Sequence, residues 1–267
     1  MSSQAQDLQP YRRGASLLDV SDLKLHFGGV KALDGASFEV GDGQVVALIG
    51  PNGSGKTSAC NALSGRYRPT AGRVLLKGKR VDHLPAHRVA QAGIARTFQE
   101  VRVFRRFTAL ENMLFALRAG RGETVWRGLV EAVGSRRSGA EGVSLAEAWL
   151  ERVGLSDKRD ALASQLSFGQ AKLLEVARAL CQEPLMVILD EPAAGLSPTG
   201  LEYLNALVFD LRKKRQAVVF VEHNFDVVRQ LADHVLVFDA GRIVASGPPD
   251  VIERDAMVRR VYTGAPA

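Results

Sequence analysis

Residues 50–57 read Gly-Pro-Asn-Gly-Ser-Gly-Lys-Thr and follow the apolar run Val45–Ile49. In this pattern a glycine, four variable positions and Gly-Lys-Thr form a loop whose backbone N–H groups surround phosphate oxygens. Lys56 is expected to reach the β- and γ-phosphates of a nucleotide, and the Thr57 hydroxyl to bind Mg²⁺. A helix that begins near Gly55 would direct the positive end of its dipole at the same anion. The stretch therefore predicts a buried strand, a phosphate-binding loop and a helix in succession.

The length and composition are those of an ordinary globular protein. The chain has 267 residues, of which 46% are hydrophobic and 24% charged, which suits one large domain or two small ones. Its 35 basic and 29 acidic residues give a net charge of +6, an excess that is spread along the chain. Such a charge is compatible with a nucleotide, a nucleic acid or an anionic membrane surface, so it does not select a partner.

The cysteines and the apolar runs indicate in which cellular compartment the chain is expected. Cys60 and Cys181 are the only cysteines, and their spacing is not that of metal ligands. Both lie in apolar helical patterns, which indicates buried thiols in a reducing cytosol. Residues 1–16 lack the apolar core of a signal peptide, and no apolar run approaches the roughly 18 to 20 residues that span a bilayer. We expect no signal peptide and no transmembrane segment, so any membrane spans would belong to another chain.

The hydrophobic pattern predicts an α/β fold. Leu17–Phe27 and Ala36–Val40 alternate apolar and polar residues on either side of a Gly28-Gly29 turn, as antiparallel strands with one buried face do. Val45–Ile49 carries no polar residue, as expected of a strand buried on both faces of a mainly parallel sheet. Further strands are predicted at 73–76, 94–98, 185–189, 217–221, 234–238 and 242–245, and helices at 56–65, after 84–85, and at 108–119, 144–152, 170–181, 199–214, 226–232 and 251–262.

These elements predict a P-loop NTPase core with three parts. They are a mainly parallel sheet, an antiparallel β subdomain and an α-helical subdomain inserted at about residues 100–180. The domain is expected to cover residues 17–262, between tails at 1–16 and 263–267.

Two carboxylates follow the apolar run Leu185–Leu189. Ligands of open α/β sheets collect at the carboxyl ends of the strands, which places Asp190 to hold Mg²⁺ directly or through water. Glu191 is placed to orient and deprotonate an attacking water molecule. The alternative is a pair of solvated loop residues, but a phosphate loop in the same chain favours the catalytic interpretation.

Three further side chains are candidates for the nucleotide site, and each of them also has an alternative interpretation. Gln99 ends a predicted strand, where its amide could contact Mg²⁺ or the attacking water, or simply be solvated. His223 follows the run Val218–Glu222, where its imidazole could contact the γ-phosphate or have a structural role only. Phe27 ends a predicted strand, where it could stack on adenine or belong to the core.

A second potential anion site lies at residues 166–170, Leu-Ser-Phe-Gly-Gln, before a predicted helix. Ser167 offers a hydroxyl, Gly169 an open backbone N–H, and the helix start a positive dipole end. Because the chain has one phosphate loop, this second site points to a partner chain.

Taken in chain order, these segments resemble the ATP-binding subunits of ABC transporters over about residues 17–262. Phe27 is similar to that family's adenine-stacking aromatic, residues 50–57 to its Walker A loop, and Gln99 to its Q-loop. Residues 166–170 are similar to its signature, residues 185–191 to its Walker B strand with the catalytic glutamate, and His223 to its switch histidine. Residues 194–197 resemble the D-loop, with Ser197 where an aspartate is commoner. In the signature segment (residues 166–170), Phe168 replaces the usual glycine, which removes one close backbone approach to the nucleotide but leaves Ser167 and Gly169.

The resemblance implies ATP and Mg²⁺ as cofactors and a head-to-tail dimer that holds two ATP molecules at its interface. It implies catalytic roles for Glu191, His223, Gln99 and Lys56, and Mg²⁺ ligation by Thr57, Gln99 and Asp190. The implied ATP-binding residues in cis are Phe27, Gly50, Pro51, Asn52, Gly53, Ser54, Gly55, Lys56, Thr57 and Ser58. Those implied in trans are Ser167, Phe168, Gly169 and Gln170.

A narrower resemblance concerns the cargo. The segments 27–29, 96–104, 191–195 and 261–264 are similar to the subfamily for uptake of branched-chain (hydrophobic) amino acids. The ATPases of urea uptake and of lipopolysaccharide export are close alternatives. The resemblance implies two transmembrane permease subunits, a second ABC ATPase subunit (a related chain or a second copy) and a substrate-binding protein. It also implies a peripheral location at the cytoplasmic face of a bacterial inner membrane, with permeases docked beside Gln99 and Phe104–Phe107.

Two other classes are disfavoured. Soluble ABC-type ATPases that act on nucleic acid usually carry two cassettes or a long coiled coil, and this sequence shows neither, so no nucleic acid partner is expected. A kinase or GTPase is disfavoured by Glu191 directly after Asp190 and by the lack of an Asn-Lys-x-Asp motif. The glycine- and arginine-rich stretch 120–142, with Trp126, is interpreted as a surface loop or as a contact to anionic lipid headgroups.

Overall fold

The centre of the fold is a six-stranded sheet. The computed structural model describes residues 16–119 and 136–258. The strands of this sheet are β3 (Val45–Ile49), β6 (Ile94–Arg96), β7 (Met186–Asp190), β8 (Ala217–Val221), β9 (His234–Asp239) and β10 (Arg242–Gly247). They have the order β10-β9-β3-β8-β7-β6, in which every pair is parallel except β9 and β10. The three central strands β3, β8 and β7 therefore end at the same edge.

A smaller antiparallel sheet packs over one face of the larger one. Its strands are β1 (Ser16–Phe27), β2 (Val30–Gly41), β4 (Ala71–Leu76) and β5 (Lys79–Arg80), in the order β2-β1-β4-β5. β1 and β2 pair antiparallel on either side of the predicted glycine turn. The two-residue strand β5 was not predicted, because two charged residues carry no hydrophobic alternation.

Helices lie on both faces of the six-stranded sheet. They are α1 (Lys56–Leu63), α2 (Ala86–Ala92), α3 (Ala109–Ala119), α4 (Arg136–Arg152), α5 (Phe168–Leu180), α6 (Pro198–Lys213), α7 (Phe225–Leu231) and α8 (Pro249–Arg254). Helices α3, α4 and α5 lie between β6 and β7 in the chain and contact one another. This confirms the predicted α/β fold with an inserted helical subdomain and an antiparallel β subdomain.

The core consists of two apolar clusters separated by the six-stranded sheet. In β3, Val45, Ala47 and Ile49 belong to the cluster under the helical subdomain, whereas Val46 and Leu48 belong to the cluster shared with the antiparallel sheet. This split follows from the alternation of side chains along a strand. Every residue of β3 is buried, as an all-apolar strand covered on both faces requires.

Several predicted boundaries differ from the structure. β2 begins at Val30 and not at Ala36, because its pairing with β1 continues up to the glycine turn, and α4 begins at Arg136 and not at Ser144. β6 ends at Arg96 and not at Phe98, so Gln99 lies three residues beyond the strand, in a loop. The physical reason is that the backbone N–H of Phe98 bonds to the side chain of Glu175 and not to a neighbouring strand. The terminal helix predicted at 251–262 is interrupted: α8 ends at Arg254, residues 256–258 form a further helical turn, and 259–262 lie outside the described residues.

Some predictions fall wholly or partly outside the described residues. They concern most of the 1–16 tail, the 263–267 tail and, with Trp126, most of the 120–142 stretch; β1 already begins at Ser16, and 136–142 belong to α4. Within residues 16–119 and 136–258, no helix has the length and hydrophobicity needed to cross a membrane. Cys60 and Cys181 are both free and buried, as predicted.

Candidate nucleotide-binding and catalytic site

The loop between β3 and α1 has a backbone that requires glycine. Gly50 and Gly55 have φ of +139° and +110°, a region that other residues rarely adopt. A Cβ at Gly50 would collide with the carbonyl oxygen of Phe238, and one at Gly55 would lie 2.7 Å from the carbonyl oxygen of Ala32. Gly55 also forms the N-cap of α1, so the loop brings backbone N–H groups and a helix N-terminus together. This cradle fits the phosphate groups of a nucleotide.

Lys56 lies inside this loop. Its Nζ donates hydrogen bonds of 2.8 Å to the carbonyl oxygens of both Gly50 and Pro51, and only 5% of the residue is exposed. Burial lowers the pKa of the Lys56 ammonium, while the nearby carboxylates of Glu191 and Asp190 act in the opposite direction. The structure therefore places Lys56 close enough to the two carboxylates for their charges to interact.

Asp190 is the last residue of β7 and has a partner that sequence reasoning missed. Its carboxylate is nearly fully buried and lies 3.1 Å from Nη2 of Arg96. The same guanidinium donates to Oδ1 of Asn61 on α1 at 2.8 Å and to Oγ of Ser64, the C-cap residue of that helix, at 2.9 Å. Arg96 thus ties the end of β7 to the helix that follows the phosphate loop. The signal in the sequence was a charged residue in the otherwise apolar strand Ile94-Ala-Arg96.

Glu191 and His223 meet at the ends of β7 and β8. Nε2 of His223 lies 3.1 Å from Oε1 of Glu191, and both side chains remain partly open to solvent. Glu191 has φ of +49°, an uncommon conformation for a residue with a side chain. A carboxylate held by an imidazole at a sheet edge can accept a proton from a water molecule. The structure therefore brings these two predicted site residues together at one edge, and their direct contact was not predicted.

Gln99 is not hydrogen-bonded to that pair among the described residues. It is exposed on the loop after β6, and within the same described residues no hydrogen bond joins its side chain to Asp190. The loop itself is held by Glu175 on α5, whose Oε1 accepts from the backbone N–H groups of Phe98 at 3.4 Å and Arg102 at 3.2 Å. Burial raises the pKa of the Glu175 carboxyl.

Phe27 is the last residue of β1 and is not a core residue. The residue is 47% exposed, and its ring meets Tyr67 edge to face, with 5.2 Å between the ring centroids. An exposed aromatic face of this kind can stack on a planar base.

The signature segment caps a helix. The hydroxyl of Ser167 accepts from the backbone N–H of Gln170 at 3.2 Å, and Oε1 of Gln170 accepts from the backbone N–H of Ser167 at 3.0 Å. This capping box begins α5. Phe168 is 55% exposed, and its ring lies against Gly195. Gly169 packs so closely on the carbonyl oxygen of Gly195 that a Cβ at position 169 would lie 2.7 Å from that oxygen.

The groups that could hold Mg²⁺ are oxygen donors. Among the described residues no cluster of three or more His, Cys, Asp and Glu side chains could hold a metal by itself. Thr57, exposed in the first turn of α1, offers a hydroxyl and Asp190 a carboxylate. Mg²⁺ commonly takes one or two protein oxygens and completes its shell with phosphate oxygens and water. The donor set fits Mg²⁺ bound together with a nucleotide.

Comparison with known proteins agrees with this geometry. A family model described as "ABC transporter" matches residues 33–194. The chain is 39% identical to the high-affinity branched-chain amino acid transport ATP-binding protein BraF of Pseudomonas aeruginosa and 37% identical to its counterpart LivG of Escherichia coli K12. It is 31% identical to the lipopolysaccharide export system ATP-binding protein LptB of Haemophilus influenzae. Each match covers 93% of this chain and 98% of the relative.

Solved structures agree as well. The ADP conformation of MJ1267, an ATP-binding cassette of an ABC transporter, matches 94% of this chain and 100% of that chain. The TM-score is 0.80 at 33% identity.

Proposed function

The chain belongs to the ABC transporter family, and on that premise we propose that it is the ATP-hydrolysing motor subunit of a transporter. The observation that carries the proposal is the meeting of Lys56, Asp190 and the Glu191–His223 pair at the ends of adjacent strands. A binding module would need the phosphate loop but not a carboxylate held by an imidazole beside it.

In the proposed reaction the phosphate loop binds the β- and γ-phosphates of ATP and Phe27 stacks on the adenine. Glu191 accepts a proton from the attacking water molecule, and the hydrogen bond from His223 holds its carboxylate in place. Bound Mg²⁺, with Thr57 and Asp190 as its protein ligands, would neutralise charge that develops on the phosphate oxygens. Lys56 would add positive charge on the same side, and Gln99 would approach the water or the Mg²⁺ by movement of its loop.

A second ABC ATPase subunit completes the site in this proposal. The exposed ring of Phe168 and the start of α5 support it, because they present a face that the described residues of this chain leave partly uncovered. Ser167–Gln170 would then contact the ATP held by the partner, and the partner's equivalent segment would contact the ATP held here. Closing on ATP and opening after hydrolysis would drive two membrane-embedded permease subunits, with this chain peripheral at the cytoplasmic face.

For the cargo we propose branched-chain or other hydrophobic amino acids, taken up with the help of a substrate-binding protein. The support is the identity to BraF and LivG, which exceeds the identity to LptB. Lipopolysaccharide export is the second candidate, because LptB matches over the same share of both chains.

The proposal is tested by affinity capture of the chain from detergent-solubilised membranes of its own host, with identification of the bound chains and assay of ATP hydrolysis. We expect two different permeases and a second ATPase, and a vesicle-reconstituted assembly with its binding protein that accumulates radiolabelled leucine on addition of ATP. Capture of one ATPase type with export-type membrane proteins would contradict the uptake assignment. An assembly that does not hydrolyse ATP would contradict the motor function itself.

A further inference from the structure

A third carboxylate, Glu222, lies between the ends of β7 and β8. It is the residue directly after β8, and only 5% of it is exposed. Its Oε1 accepts a hydrogen bond of 3.0 Å from the backbone N–H of Ala193, and its Oε2 accepts one of 3.1 Å from the backbone N–H of His223. One buried carboxylate therefore joins the segment that follows β7 to the segment that follows β8.

These contacts close a ring around the site. His223 bonds through its imidazole to Glu191 at 3.1 Å and through its backbone to Glu222. Glu222 bonds to Ala193, which lies two residues after Glu191 in the chain. Glu191 and His223 are thus held in two ways: their side chains bond to each other, and the backbone segments on which they lie are joined through Glu222.

The backbone at Glu191 needs such support. Its φ of +49° is disfavoured for a residue with a side chain, and conformations of this kind persist only where neighbouring contacts impose them. The backbone N–H of Glu191 donates to the carbonyl oxygen of Val221 at 3.0 Å, and its carbonyl oxygen accepts from Ala194 at 3.2 Å. The bond from Ala193 to Glu222 anchors the same turn from its other side.

A buried cation offsets the charge of this cluster. Lys172 on α5 is 2% exposed, and the carboxylates of Glu175, Glu191 and Glu222 stabilise its charged form, although burial lowers the pKa of its ammonium overall. Its Nζ lies 5.6 Å from the centre of the Phe168 ring. Opposite charges that face one another inside a buried cluster offset part of the free-energy cost of burying each of them.

We propose that Glu222 is a positioning residue that keeps Glu191 and His223 in register by tying together the segments after β7 and β8. The inference rests on the proposed function, since it takes Glu191 and His223 as the pair that acts on ATP and water. Glu222 itself contacts neither Glu191 nor the imidazole of His223 by a hydrogen bond among the described residues, so its effect is indirect.

The test compares Glu222→Gln with a matched control, Asp82→Asn. Glutamine has the same size but only one acceptor oxygen, so one of the two backbone bonds is lost. Asp82 is a buried carboxylate in the antiparallel sheet that accepts from the backbone N–H of Val74 at 3.0 Å and pairs with Arg80. In the assembled transporter we expect Glu222→Gln to lower kcat roughly ten- to a hundredfold with KM for ATP changed less than about twofold. Asp82→Asn is expected to change neither constant.

Amide hydrogen exchange on the full-length chain gives a local readout that does not depend on turnover. Glu222→Gln is expected to speed exchange at Ala193 or His223, and Asp82→Asn to leave both unchanged. An unchanged kcat, a change confined to KM, or unchanged exchange at both amides would overturn the inference. If Glu222→Gln does not fold, Glu222→Asp, which keeps the charge and shortens its reach, is measured against the same expectations. If the wild type does not hydrolyse ATP, the proposed function fails, and the exchange result alone decides whether Glu222 holds the two segments.

Discussion

The edge formed by β3, β7 and β8 and the signature segment differ in how much of their chemistry this chain supplies. At the edge, Lys56 is held by carbonyl oxygens of its own loop, Asp190 by Arg96, and Glu191 by His223. In the signature segment, Ser167 and Gln170 are occupied with capping α5, and the Phe168 ring stands half in solvent.

The difference teaches that the proposed catalytic groups are positioned by contacts within this chain, whereas the contacts of the signature segment within the chain serve to cap a helix. Changes at the edge should therefore be felt within one chain. Changes in the signature segment should be felt only in the assembled dimer. The following predictions test that division, from the largest expected effect to the smallest.

Glu191→Gln should have the largest effect. Removal of the general base is expected to lower kcat by about 10²- to 10⁴-fold, while ATP binding is retained because the phosphate loop is unchanged. The measurement is steady-state phosphate release by the assembled transporter, with the exposed Glu202→Gln on α6 as control. Turnover within about threefold of wild type would remove Glu191 from the base role.

Arg96→Met tests whether the edge is supported from within the chain. The substitution leaves the Asp190 carboxylate buried without its cation, and breaking a buried pair in this way costs about 3–5 kcal/mol of unfolding free energy. The measurement is urea unfolding of the single chain. Arg159→Met is the control, because the side chains of Arg159 and its partner Glu147 are 41% and 43% exposed, and such a surface pair should contribute no more than about 1 kcal/mol. Equal losses for the two variants would contradict the supporting role of Arg96.

Ser167→Asp tests the other side of the comparison. Aspartate caps a helix as well as serine does, so α5 should be kept, but its carboxylate would face the phosphates held by a partner subunit. We expect nucleotide affinity of the isolated chain to be unchanged and turnover of the assembled transporter to fall by about ten- to a hundredfold. Ser156→Asp, on the exposed turn after α4, is the matched control. A weakened affinity in the isolated chain would show that Ser167 acts in cis.

Phe27→Leu should have the smallest effect of the four. Loss of a base-stacking ring is expected to weaken ATP binding by about five- to tenfold without changing kcat. Phe209→Leu on α6 replaces another half-exposed phenylalanine and should leave the affinity unchanged. Isothermal titration of the single chain with a slowly hydrolysed ATP analogue separates the two variants.

The sequence predicted those features that depend on local pattern. Val45–Ile49 is apolar throughout and forms β3 with the predicted bounds, and the glycines of the phosphate loop adopt the backbone that the pattern implies. The predicted end of β6 at Phe98 was wrong because the side chain of Glu175, 77 residues further along the chain, accepts a hydrogen bond from the backbone N–H of Phe98. The pairing of Asp190 with Arg96 and that of the Ala193 N–H with Glu222 were likewise not predicted, because the partners are distant in the sequence. Charges that meet only after folding leave no periodic signal in the sequence.

The central claim, that one chain's edge and another chain's signature segment share a nucleotide, is tested most directly by photocleavage of the assembled transporter. Vanadate trapped with ADP and Mg²⁺ occupies the γ-phosphate position and, on irradiation, cuts the backbone beside it. Fragments of this chain, identified by mass spectrometry, should show one cut in the phosphate loop near Ser54 and a second near Ser167. The second cut should disappear when the chain is irradiated alone. Cleavage in the phosphate loop only, with the full assembly present, would contradict the account.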